Sequence, residues 1–126
     1  MPPGMGFGAL LLLALAGALG AATRFAFAEW ATKRLRVSFP LPTLLINVTG
    51  AFALGVLTTA GGASGQARLL LGTGFLGGYT TFSTLSYDSH SLFRSGQTRA
   101  AWLNTLGSLA LGVVAAALGL FCGTLL

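Results

Sequence analysis

The nine charged side chains of this 126-residue sequence fall in three places, Arg24–Arg36, Arg68 and Asp88–Arg99. Between them lie four uncharged stretches of 23, 31, 19 and 27 residues: Met1–Thr23, Val37–Ala67, Leu69–Tyr87 and Ala100–Leu126. A helix needs roughly 20 apolar residues to cross the hydrocarbon of a bilayer, so each stretch can cross once. With 54% hydrophobic and only 7% charged residues, against about 25% charged in a soluble domain, a lipid bilayer is the expected solvent. The stretches are apolar all round rather than alternating, so their backbone groups are satisfied inside helices and not in a barrel. The expectation is an all-α membrane protein with four transmembrane helices, one domain over 1–126, crossing near 5–32, 40–61, 67–94 and 99–125. A cleaved signal peptide also suits Leu10–Ala22, but no Lys or Arg precedes that segment.

Turn residues mark the joins. Pro40 and Pro42 open the second crossing, Gly61, Gly62, Ser64 and Gly65 lead into the third, and Ser95 and Gly96 precede the fourth. The net charge of +5 is no signature of nucleic-acid binding, because the bases flank the crossings. Lys33, Arg34, Arg36, Arg94 and Arg99 fall in the loops after the first and third crossings, and only Arg68 lies on the other side. The positive-inside rule then puts the two basic loops in the cytoplasm and both termini outside. Cys122 is the sole cysteine, so an internal disulfide is excluded and the thiol reads as a small apolar filler.

Small residues four apart, Ala16 with Gly20 and Ala115 with Gly119 and Gly123, let helices approach closely. Four helices are too slender to enclose a polar path alone, so association is expected, most simply as a dimer. Polar groups at membrane depth are costly unless partnered or wetted. Thr43 and Asn47 share a face of the second crossing, and Asn104 and Ser108 repeat that spacing in the fourth. Either pair also reads as interhelical hydrogen bonding.

The third crossing differs in kind. Gly72, Gly74, Gly77 and Gly78 precede Thr80, Thr81, Ser83, Thr84 and Ser86, a composition that permits local unwinding, and non-helical backbone at that depth must be buried in protein or line a cavity. Unwound carbonyls can hold a cation, hydroxyls can donate to an anion, and the positive ring edge of Phe82 can face one. A break in the third helix is therefore expected there.

Catalysis is not expected. Glu29 and Asp88 are the only carboxylates and both lie near span ends, while His90 and Cys122 belong to different elements, so no catalytic set is complete. A cation-coupled drug exporter of the small multidrug resistance kind has similar length but requires a carboxylate deep in its first crossing. A small-solute or cation exporter and a non-conducting structural or assembly subunit remain as alternatives to a channel.

The segments GFLGGYTTFST (74–84), PTLLINVTGAF (42–52) and GAATRF (20–25) together resemble the Fluc (CrcB) family of bacterial fluoride channels. That resemblance implies an antiparallel, dual-topology dimer of four-span subunits in the bacterial inner membrane. It implies passive, fluoride-selective efflux that lowers cytoplasmic fluoride and its toxicity, with one structural sodium ion at the dimer centre that is not transported. By position, it assigns the sodium to the main-chain carbonyls of Gly77 and Thr80, and the fluoride path to Asn47, Phe82, Ser83, Thr84, Asn104 and Ser108. Arg24 would supply positive charge to a vestibule. Such a scheme is physically coherent, because a pore for a strongly hydrated anion must replace water with donors yet release the ion, and no Lys or Arg lies at the centre of any crossing.

Two features depart from the family pattern. Leu85 stands where the motif usually carries a second phenylalanine, and the charge bias of the loops is unlike that of a chain inserting both ways. Both are compatible with a heterodimer whose related partner subunit has the opposite orientation, as the alternative to a homodimer.

Overall fold

The computed structural model describes residues 5–126. Helix α1 runs Phe7–Leu35 and α2 runs Leu41–Thr59. A four-residue helix α3, Gly65–Arg68, passes into a π-helical segment, Leu69–Leu76, and then into a short α4, Gly77–Tyr79. Thr80 and Thr81 have extended backbone, with φ/ψ of −80/156 and −145/123. Helix α5 covers Phe82–Arg94, and α6 covers Thr98–Gly123. Three of these helices, α1, α2 and α6, are long and apolar enough to cross a membrane. The remaining uncharged stretch is divided among the π-helical segment, α4 and α5.

Local chemistry explains the ends. Pro42 sits in the first turn of α2, where a missing N–H is harmless. The last carbonyls of α2 would otherwise be orphaned, and Arg68 folds back to donate from Nε to the Leu57 carbonyl at 3.1 Å and from Nη2 to the Ala60 carbonyl at 2.8 Å. Ser64 caps α3 by accepting from the Ala67 amide at 3.0 Å. Lys33 and Arg34 occupy the last turn of α1, where cations complement the helix dipole. Gly96, at φ +84, makes the left-handed turn between α5 and α6.

Packing is inverted relative to a soluble protein. The buried apolar residues are few and mostly small, Ala31, Ile46, Leu92, Ala101 and Ala115, while large side chains such as Leu15, Leu19, Leu109 and Phe121 point outward. Helices meet instead through glycine. A Cβ at Gly119 would fall on the Phe52 carbonyl and one at Gly55 on the Ala116 carbonyl, which keeps α2 and α6 in backbone contact. Likewise a Cβ at Gly20 would strike the Phe75 carbonyl, and one at Gly78 the Gly17 carbonyl, so α1 lies directly against the π-helical segment and α4. Close approach of this kind delivers attraction between helices where lipid removes the hydrophobic driving force.

Candidate functional site

Gly50 allows α2 to approach the extended pair, since a Cβ there would occupy the space of the Thr80 methyl group. One turn earlier on the same helix, Asn47 reaches Thr81. Its Nδ2 donates to the Thr81 carbonyl at 2.8 Å, and the Thr81 amide donates to Asn47 Oδ1, also at 2.8 Å. The side chain of Thr81 is buried and serves as the cap of α5, with its Oγ1 accepting from the Thr84 amide at 3.1 Å. Oγ1 also donates to Thr84 Oγ1 at 3.1 Å and lies 3.2 Å from Ser83 Oγ.

Three hollows surround this segment. A groove of about 510 Å³ runs between α2, α5 and α6 and brings together Asn47, Phe82, Leu85, Thr105 and Ser108. Phe82 is 71% exposed and presents its ring to that groove. Ser108 Oγ is buried with no hydrogen-bond partner among the described residues. One N–H of the Asn47 amide goes to Thr81, which leaves the second without a partner among the described residues. Among the described residues, no charged side chain lines the groove.

A second recess, of about 290 Å³, is shared by Asn47, Gly50, Gly77 and Thr80. Neither the Gly77 nor the Thr80 carbonyl accepts a hydrogen bond among the described residues, whereas the Gly78 carbonyl between them accepts from Arg24 Nε at 3.3 Å. The third hollow, of about 260 Å³, is lined by Arg24 with Thr43, Thr81 and Thr84. Arg24 thus faces the inside of the bundle, bound to the backbone of α4.

The residues singled out in the sequence are therefore split. Asn47, Phe82 and Ser108 share the groove, Gly77 and Thr80 share the recess, and Arg24 and Thr84 share the third hollow. Ser83 is exposed beside Thr81. Asn104, 1% exposed, lies off the groove wall and donates from Nδ2 to Ser89 Oγ at 2.9 Å, leaving its Oδ1 unpartnered among the described residues. Sequence reasoning missed Ser89, a buried hydroxyl that also accepts from Thr105 Oγ1 at 2.9 Å, since it is one of several serines in the mostly polar helix α5. It also missed the Thr43 hydroxyl donating to Asp88 Oδ2 at 3.1 Å.

A match to the family described as CrcB-like protein, Camphor Resistance (CrcB), covers residues 11–120. The chain is similar to a protein of Thermus thermophilus named fluoride-specific ion channel FluC, at 44% identity over 118 residues, 91% of this chain and 93% of that one. It is 47% identical over 119 residues to fluoride-specific ion channel FluC 1 of Leifsonia xyli, covering 92% and 87% of the two chains. A Bacillus cereus protein named fluoride-specific ion channel FluC 2 is 44% identical over 113 residues, 90% and 95% of the two.

Proposed function

This chain belongs to the CrcB-like protein family, and from that premise we propose that it forms a fluoride-selective channel in the bacterial plasma membrane. It is not an enzyme; fluoride crosses passively, leaving the cytoplasm down its electrochemical gradient. The groove carries this reading. Its polar elements are a ring edge at Phe82 and the remaining N–H of Asn47, with the unpartnered Ser108 hydroxyl buried at its wall and no charged side chain lining it among the described residues. Each can replace a water molecule of a hydrated anion, and none binds so strongly that release becomes slow. By position Ser83, Thr84 and Asn104 are assigned to the same path, and Arg24, in the hollow it shares with Thr84, raises the local anion concentration.

The third crossing in this reading is the composite of α3, the π-helical segment, α4 and α5, broken at Thr80–Thr81. The groove is open along one side of a single chain, so a second subunit of opposite orientation closes it. A sodium ion at the dimer axis fits the residues present, because the Gly77 and Thr80 carbonyls are neutral, hard oxygen donors without hydrogen bonds. Bound there, sodium would supply a positive charge shared by these carbonyls.

Leu85 favours a second reading of the assembly. It lines the groove beside Phe82, where a phenylalanine would add a second ring edge. Together with the one-sided distribution of basic residues, this supports a heterodimer in which a related subunit contributes the missing ring. The channel reading is tested in a bacterium deprived of its own fluoride export and exposed to fluoride. Expression of this chain restores growth, and Phe82→Ala does not. Failure to restore growth, alone or together with a related subunit, counts against the proposal.

A further inference from the structure

The two carbonyls assigned to sodium are four residues upstream of two amides that have been diverted. In a continuous α-helix the N–H of residue i+4 goes to the carbonyl of residue i, so the Thr81 amide belongs to the Gly77 carbonyl and the Thr84 amide to that of Thr80. Neither bond forms. The Thr81 amide goes to Asn47 Oδ1 at 2.8 Å, and the Thr84 amide goes to Thr81 Oγ1 at 3.1 Å. We propose that Asn47 and Thr81 are positioning residues for the cation site, each removing from one carbonyl the hydrogen-bond donor that would otherwise occupy it.

The energetics run in that direction. An amide without an acceptor at membrane depth is costly. Were either side-chain oxygen missing, the least costly response of the chain would be to rewind, returning the Thr81 amide to Gly77 or the Thr84 amide to Thr80. A carbonyl that accepts such a bond has lost much of its capacity for a cation. Asn47 and Thr81 compensate the diverted amides in advance and keep both oxygens available in the recess that Gly77 and Thr80 share. The Thr80 amide itself remains helical, donating to the Leu76 carbonyl at 3.0 Å, so the diversion begins only at Thr81.

Asn47 also lines the groove, so one side chain borders both hollows. Its contact with Thr81 at both ends fixes the orientation of the amide whose second N–H faces the proposed fluoride path. Order in the cation site is thereby linked to order in the groove.

The inference rests on the reading of Gly77 and Thr80 as sodium ligands, and the test separates the two. The purified channel in detergent is titrated with sodium chloride against choline chloride, and the thermal midpoint is followed. For the unaltered chain the midpoint rises with sodium. In Thr81→Val, which keeps the shape without the acceptor oxygen, and in Asn47→Leu, the half-saturating sodium concentration rises about tenfold or more. Thr81→Ser restores it to within about threefold, because the oxygen returns. Sodium responses of Thr81→Val and Asn47→Leu equal to that of the unaltered chain overturn this inference alone. Absence of any sodium response in the unaltered chain overturns the sodium assignment and this inference with it. Should the substituted chains not fold, amide hydrogen exchange on the unaltered protein decides. Protection of the Thr81 and Thr84 amides that stays within about threefold when choline replaces sodium supports side-chain acceptors. Loss of that protection in choline shows that the ion, not the side chains, holds the segment.

Discussion

Asn47 and Thr81 hold each other at both ends, with the amide of one and the main chain of the other exchanging two hydrogen bonds of 2.8 Å across 34 residues of sequence. This pair fastens α2 to the only two consecutive extended residues between α4 and α5. It imitates the reciprocal pairing of two strand residues, with a side-chain amide standing in for a peptide.

Removing that amide is expected to cost stability as well as function. Asn47→Leu loses both bonds and leaves the Thr81 N–H and C=O without partners. Interhelical hydrogen bonds in membrane proteins are individually modest, so the expected loss is about 1–2 kcal/mol, read as a lower unfolding midpoint in detergent. An unchanged midpoint would mean that the pair is formed by geometry already fixed elsewhere.

The helix contacts through glycine make a sharper prediction. In Gly119→Ala the new methyl group meets the Phe52 carbonyl, a backbone atom that cannot swing aside. The expected destabilisation is about 1–3 kcal/mol. Gly107→Ala, on the same helix, meets nothing within 4 Å and is expected to change stability by less than about 0.5 kcal/mol. Comparable midpoints for the two variants would contradict the close approach of α2 and α6.

How far these features were legible in the sequence differs from residue to residue. The three long helices follow from where charge is absent, and the glycines at 20, 119 and 123 follow from their spacing. Asn47, Phe82 and Ser108 stand out because polar or aromatic groups amid apolar ones need a reason. The π winding of Leu69–Leu76 left no trace, since an apolar run reads the same for i+4 and i+5 hydrogen bonding. Nor could spacing show that Asn47 is paired with Thr81, because the partner is main chain and carries no residue-type signal. Ser89 escaped for a related reason: one serine in a mostly polar helix is unremarkable until Asn104 and Thr105 converge on it.

Phe82 separates function from folding. Its ring is 71% exposed, so Phe82→Leu is expected to alter stability by less than about 0.5 kcal/mol. Loss of the ring edge is expected to lower fluoride release about tenfold. Equal release by Phe82→Leu and the unaltered chain, measured in liposomes, would remove the ring from the path.

Leu85 is the position at which a substitution is expected to improve the channel. The groove beside it is wide enough for an aromatic side chain, and Leu85→Phe adds a second ring edge next to Phe82. Fluoride release by the chain alone is expected to rise about three- to tenfold. No increase would indicate that leucine serves the path as it stands, and that no related subunit is needed to supply a ring.

A groove of this kind is expected to pass fluoride and exclude larger halides. Liposomes carrying either the unaltered chain or Leu85→Phe are loaded with potassium fluoride or potassium chloride, valinomycin is added to dissipate the voltage, and an external electrode records the released anion. Fluoride release is expected well above that of empty liposomes, with chloride release indistinguishable from them. Fluoride release at the level of empty liposomes from both forms, or chloride release as fast as fluoride, would contradict this expectation.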